Sequence, residues 1–278
     1  PYLTRHYPYG DLLAHVVGYV GRIDEDDLAK LGDGGGALSH IGKTGVERSY
    51  EELLRGQVGY EQIETNVQGR ALRTIGRVPA RPGVDLRLSN DAELQRATVA
   101  AFGELEGTAV AMDPRTGEIL ALVSLPSFDP NLFVNGISHA DFRALNDNPS
   151  RPQFNRAVLG GVAPGSTLKP FLALAGLDSG VRRPEDRTLS TGMFHLPGTR
   201  RGWGDSHRGG HGWTDARKSI ADSVNTYYYK LAVDMGIARI DEYLGRYGFG
   251  QASGIDLAGE NPGILPNPAW KLKNRKER

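Results

Sequence analysis

The spacing of apolar positions changes near residue 85. Up to about residue 82, short apolar pieces such as "LLAHVVGYVG" and "VGYEQIETNVQGRALRTIG" alternate with glycine and charge, which predicts small helices or strands. "VPARPGVD" follows as a linker, because its prolines and glycine interrupt either periodicity. Beyond it, "DLRLS" predicts a short strand, and "NDAELQRATVAAFGEL" predicts an amphipathic helix capped by Asn90 or Asp91. Two apolar runs flank Asp113-Pro114-Arg115-Thr116-Gly117, the pattern of an antiparallel hairpin. After a long loop containing "FDPNLFVNG", helices are predicted through "STLKPFLALAGLDSG", ending near Gly180, through "DARKSIADSVNTYYYKLAVDMG" and through "IARIDEYLGRYG". A hairpin followed by clustered helices predicts an α+β fold with helices packed on an antiparallel sheet, in two parts, residues 1–82 and 83–278.

Charge adds little to this picture, since 33 basic residues balance 33 acidic ones. Nothing here favours nucleic acid or an acidic membrane surface. The absence of cysteine excludes disulfides and thiolate metal sites. No apolar run approaches the roughly 20 residues that cross a bilayer, and "PYLTRHYPYG" has no signal-peptide core. A start without methionine and an end in "KLKNRKER", expected as a solvated loop, suggest a fragment.

Two chemistries compete at Gly42-Lys43-Thr44-Gly45. A phosphate-binding loop needs a glycine five residues before Gly42, where Ala37 stands, and a buried strand feeding it. The charged segment "DEDDLAKLGDGGG" precedes it instead, leaving a phosphate-loop protein as the weaker alternative. Thr44 and Glu47 have the spacing of a capping box at a helix start.

The sharper signal is "APGSTLKPF". Ser166 and Lys169, three apart, share one helix face, with Pro164 and Gly165 suiting a sharp entry. A serine hydroxyl becomes a nucleophile beside a base, and a lysine of lowered pKa can serve. Taken alone, the pair also describes an ordinary helix with a capping serine and a surface lysine. Ser223-Val224-Asn225 then supplies the outer positions of a second motif, although a helix-terminal serine and asparagine fit the same letters. Ser-x-x-Lys, Ser-Asp-Asn and Lys-Thr-Gly together mark penicillin-binding serine enzymes.

Five collinear segments carry the resemblance further: "HYPYGDLLAHVVGYVG", "IGKTGVERSYEELLRGQVGYEQIETNVQGR", "DPRTGEILALVSLPSFDPNLFVNGIS", "RPQFNRAVLGGVAPGSTLKP" and "WTDARKSIADSVNTYYYKLAVDMGI". With the tail "GFGQASGIDLAGENPGILPNPAWK", they resemble the class B penicillin-binding proteins of the elongation-specific type. The resemblance implies a penicillin-binding transpeptidase fold, incomplete here, preceded by part of a pedestal domain over residues 1–82. It implies Ser166 as nucleophile toward the D-Ala-D-Ala carbonyl of peptidoglycan stem peptides, with its backbone N–H as one oxyanion donor. Lys169 would accept the serine proton, Ser223 would relay a proton to the leaving amine, and Asn225 would bind the substrate amide. β-Lactams would acylate Ser166. Partners would be a SEDS-type glycosyltransferase and elongation-complex scaffold proteins. The location would be the inner membrane, single-pass, with this region periplasmic and the anchor absent from this chain.

The third motif belongs after Ser223, and no Lys-Thr-Gly occurs between Asn225 and Arg278, so it is expected beyond the end of this chain. A β-lactamase, a β-lactam sensor or a binding scaffold with an unfinished cleft share the remaining motifs. Asp205, His207 and His211 are residue types that ligate zinc. The resemblance implies a zinc site in some relatives, with Asp205 and His211 as two of four ligand positions and Val224 and Ser190 as the others. Two ligands seldom hold zinc, so an unmetallated polar loop with no cofactor is expected. Tyr227-Tyr228-Tyr229 is expected to form core and cleft wall.

Overall fold

The structure, a computed structural model, describes residues 4–31 and 38–275. It packs as two compact units, Pro1–Gly160 with Ile255–Glu260, and Gly161–Gly254 with Asn261–Arg278.

In the first unit, helix α1 (Ala14–Val17), strand β1 (Val20–Arg22), helix α2 (Glu25–Leu31) and strand β2 (His40–Gly42) lead into helices α3 (Gly45–Ser49) and α4 (Glu51–Arg55). β1 and β2 pair antiparallel, with Val20 opposite Gly42. The helix start expected at Thr44 is present, but the capping box is not. Thr44 has extended backbone and its side chain makes no cap bond. Glu47 turns inward, where Arg5 Nε lies 2.9 Å and Tyr7 Oη 3.2 Å from Oε1. A buried carboxylate is better satisfied by a cation and a hydroxyl than by a helix-end amide. Lys43 Nζ donates to Asp24 at 2.8 Å and to Asp27. Residues 32–37, which include Ala37 at the position where a phosphate loop needs its first glycine, lie outside the described residues.

"VGYEQIETNVQGRALRTIG" forms the antiparallel hairpin of β3 (Tyr60–Thr65) and β4 (Ala71–Val78), largely exposed on both faces. The linker after it is tied down. Gln57 and Arg81 exchange backbone hydrogen bonds of 2.8 and 2.9 Å, and Val84 N donates to Leu53 O at 2.9 Å. "DLRLS" is not a strand. Its Leu86 and Leu88 pack into the core around Val16, Val46, Leu122 and Val158, while Ser89 Oγ and Asp91 N each reach one carbonyl, of Ile119 and Leu120. Packing without a ladder places those leucines.

Asp91 caps helix α5 (Ala92–Phe102), accepting from Glu93 N and Leu94 N. The expected hairpin is formed by β5 (Gly107–Met112) and β6 (Ile119–Leu125), turning at Asp113–Gly117, with Gly117 N donating to Asp113 O at 2.8 Å. Gln95 of α5 then treats β6 as a further strand would, donating to Leu122 O at 2.8 Å and accepting from Leu122 N at 2.9 Å. The loop expected at "FDPNLFVNG" contains helix α6 (Asn131–Val134), which forms because Phe133 and Val134 are buried. Helix α7 (His139–Asn146) follows.

The second unit opens with a 3-10 turn, Gly165–Leu168, continued by α8 (Lys169–Asp178). Then come β7 (Thr188–Ser190), β8 (Met193–His195), β9 (Gly202–Gly204) and β10 (Gly212–Thr214), pairing antiparallel as β7 with β10 and β8 with β9. Four helices complete it: α9 (Ala216–Ala221), α10 (Asn225–Met235), α11 (Ile237–Arg246) and α12 (Pro268–Arg275). The basic tail is therefore helical as far as Arg275, not a loop.

The core of this unit joins Ala173 and Ala175 of α8 to Val224, Tyr227, Tyr228 and Leu231, so Tyr227 and Tyr228 are core as expected. Small residues on α8 let α10 approach closely. A Cβ at Gly176 would stand 2.8 Å from Leu231 Cδ1. The architecture is α+β, and every sheet among the described residues is a two-stranded antiparallel pair.

Candidate active site

Gly165 enters the 3-10 turn with φ +56°, a conformation that costs glycine little and a Cβ-bearing residue about 1 kcal/mol or more. Residues three apart eclipse in such a turn, which stacks the Ser166 and Lys169 side chains on one side. Ser166 is exposed, while Lys169 is 8% exposed as the first residue of α8.

The second motif is built differently from the single helix expected there. The chain breaks between α9 and α10, and Ser223 sits in the break with φ +52°. A non-glycine residue in the left-handed region is held there by its surroundings. The break lets Ser223 present both its carbonyl and its hydroxyl to the lysine. Lys169 Nζ donates to Ser223 O at 2.6 Å, Ser223 Oγ at 3.0 Å and Asn225 Oδ1 at 2.6 Å. Three acceptors use all three ammonium protons. Ser223 Oγ lies in turn 3.0 Å from Ser166 Oγ. The structure thus joins Ser166 to Lys169 through Ser223. The Tyr228 ring closes the lysine's remaining side, its centroid 5.5 Å from Nζ.

Burial lowers the Lys169 pKa from the ordinary lysine value, and the Asp205 carboxylate offsets part of that effect. Ser166, Lys169, Ser223 and Asn225 therefore meet in one cluster holding a nucleophile candidate, a connected hydroxyl and an amine able to lose its proton.

Residues 107–276, more than half of the chain, match the penicillin binding protein transpeptidase domain, and residues 1–88 match the penicillin-binding protein dimerisation domain. The chain belongs to the penicillin-binding protein transpeptidase family. Within that family it is 47% identical to a peptidoglycan D,D-transpeptidase MrdA of Acinetobacter baumannii, over 99% of this chain and 41% of the relative. Identity is 42% to the Escherichia coli K12 protein of the same name, over 99% of this chain and 44% of the relative. The chain thus spans less than half the length of these curated relatives. Among solved structures it is similar to Pseudomonas aeruginosa PBP2 in complex with WCK 5153, with 41% identity, TM-score 0.85, and 100% of this chain and 57% of that one covered. It is also similar to Helicobacter pylori PBP2 in a complex with MreC, with 32% identity, TM-score 0.91, and 99% and 51% covered.

The residues at the zinc positions that the resemblance implies for some relatives do not fit a metal here. The Val224 side chain carries no ligating atom and is fully buried. Ser190 Oγ donates to Asp205 at 2.8 Å. His211 Nε2 is 3.3 Å from Ser206 Oγ, and the His207 and His211 ring centroids are 6.0 Å apart. No group of three or more His, Asp or Glu suited to a metal occurs among the described residues.

The sequence reading missed Thr226 and Gly204. Thr226 N and Oγ1 both donate to Asp205, and Gly204 O accepts from Asn225 Nδ2 at 3.1 Å. No sequence signal marked them, because the helix start after Val224, which makes no side-chain cap bond, appears only in the fold.

Proposed function

We propose that this chain is the catalytic part of a peptidoglycan D,D-transpeptidase that cross-links stem peptides during cell elongation through a Ser166 acyl-enzyme, and that β-lactams acylate it. The observation that carries this reading is the continuous path from Ser166 Oγ through Ser223 Oγ to Lys169 Nζ, each step 3.0 Å. Ser166 Oγ attacks the carbonyl between the two D-alanines, and its proton leaves along Ser223 toward a neutral Lys169. The C–O bond forms, the C–N bond breaks, and the terminal D-alanine departs as its amine takes the proton back from the same path. The Ser166 backbone N–H gives one oxyanion donor. Asn225 aligns the stem peptide's amide. An amine of a neighbouring stem peptide then attacks the acyl-enzyme ester and completes the cross-link.

Residues 1–82 belong to the pedestal and 83–278 to the transpeptidase part. The whole protein is held in the inner membrane by a single-pass anchor, with this part periplasmic. No helix among the described residues is long and apolar enough to cross a membrane. A similar protein has been solved with MreC, which supports a scaffold partner of that kind. A SEDS-type glycosyltransferase would be a second partner. The reaction needs no metal or organic cofactor.

Incubation of the protein, at this length and at the length of its relatives, with a fluorescent penicillin tests the reading. A stable adduct located on Ser166 by mass spectrometry, and absent in Ser166→Ala, is expected. Rapid release of hydrolysed penicillin would make it a β-lactamase, and no adduct at either length would overturn the transpeptidase reading.

A further inference from the structure

Helix α10 begins with a deficit. Its first amides have no partner within the helix, and Val224 at the N-cap has no acceptor to offer them. The acceptor comes instead from 21 residues before Thr226 in the chain. Asp205 Oδ1 lies 3.1 Å from Thr226 N, the position an N-cap side chain usually serves, and its Oδ2 accepts from Thr226 Oγ1 and, at 2.8 Å, from Ser190 Oγ. The carboxylate is fixed in turn, because Asp205 N donates to Gly192 O at 3.0 Å. Its immediate neighbour Gly204 turns the Asn225 amide by accepting from Nδ2 at 3.1 Å, which leaves Asn225 Oδ1 facing Lys169 at 2.6 Å. Residues 204–205 thus grip Asn225 and Thr226 together. A negative charge there also suits the positive end of the helix dipole.

We propose that Asp205 is a positioning residue for the reaction: together with Ser190 and Thr226 it caps α10 from outside and sets the Ser223–Asn225 turn against Lys169 by hydrogen bonds alone, in place of a bound metal. The proposal rests on the transpeptidase reading for its activity test but not for its structural one. Ser190 is 2% and Thr226 4% exposed, so each hydroxyl is committed to this carboxylate and not to water. Val224, where a ligand would stand, fills the core beside Tyr228 and Leu231.

The test measures the rate of Ser166 acylation by fluorescent penicillin in the protein at the length of its relatives, together with hydrogen exchange at the Thr226 amide. Asp205→Ala should slow acylation about tenfold or more. Asp205→Asn, which keeps one acceptor for Thr226 N, should recover most of the rate. Chelator treatment of the wild type should change nothing. Thr226→Val, which removes only the hydroxyl bond, gives an intermediate loss and serves if Asp205→Ala does not fold. A wild-type rate in Asp205→Ala, no rescue by asparagine, or loss of acylation on chelation would overturn the proposal. If the wild type forms no adduct the functional reading fails alone, because faster exchange at the Thr226 amide in Asp205→Ala still supports the cap, and unchanged exchange overturns it.

Discussion

Ser223 Oγ stands 3.0 Å from both Ser166 Oγ and Lys169 Nζ, so the two residues of the Ser-x-x-Lys motif communicate through a residue of the other motif. While Lys169 carries its proton, the hydrogen bonds run from the lysine through Ser223 to Ser166. They must reverse before Ser166 can lose its proton. Removal of the bridge by Ser223→Ala is expected to slow acylation about a hundredfold or more, the usual scale for a lost proton-transfer group. Quenched-flow labelling with a fluorescent penicillin measures it, and an unchanged rate would refute the relay.

The same reversal sets the pH dependence. Burial lowers the Lys169 pKa, and only the neutral amine can accept a proton, so the acylation rate should rise with pH through a midpoint below the ordinary lysine range. Lys169→Arg keeps the charge and stays protonated across the accessible range, so it should form no adduct at any pH tested. A flat profile from pH 6 to 10, or an active arginine variant, would show that Lys169 is not the base.

The approach of α8 to α10 fixes where Lys169 meets Asn225. Gly176→Ala would press its methyl to 2.8 Å from Leu231 Cδ1, at an expected cost of about 1–3 kcal/mol. Leu231→Ala should cost about 2–5 kcal/mol by leaving a cavity beside Tyr227. The two changes fill and empty the same space, so the double variant should lose clearly less than the sum. Denaturant titration of the four proteins gives the coupling, and strict additivity would place the helices differently.

His15 offers a stability prediction in the first unit. Buried at 7% exposure against the edge of Phe128, with no hydrogen bond to Nε2, it has its pKa lowered by desolvation from 6.5 to about 4. The folded state therefore binds this proton more weakly than the unfolded chain does. Its contribution is fully present above pH 6.5 and is lost progressively as the pH falls to about 4. At pH 5 the loss amounts to about 2 kcal/mol. His15→Leu should therefore show a smaller drop in urea midpoint between pH 7 and pH 5 than the wild type, and equal drops would contradict the buried neutral imidazole.

Much of the fold was legible because it is local. The hairpin at Asp113–Gly117 and the cap at Asp91 follow from turn and cap chemistry within a few residues. "DLRLS" failed because alternation marks a half-buried segment and cannot report whether a partner strand lies alongside. Thr44 and Glu47 failed as a capping box because Arg5 and Tyr7, some 40 residues earlier, compete for the same carboxylate.

The sequence by itself determined the family, through collinear segments, and marked Ser166, Lys169, Ser223 and Asn225 by type and spacing. Only the tertiary structure decided how they connect. The helix break at Ser223 and its left-handed backbone, the order Ser166–Ser223–Lys169 and the cap that Asp205 lends to α10 were decided there, the last two joining residues 21 to 57 positions apart. Such contacts depend on how α8, α10 and the loop after β9 pack, and apolar periodicity in one segment carries no information about the segment it will meet.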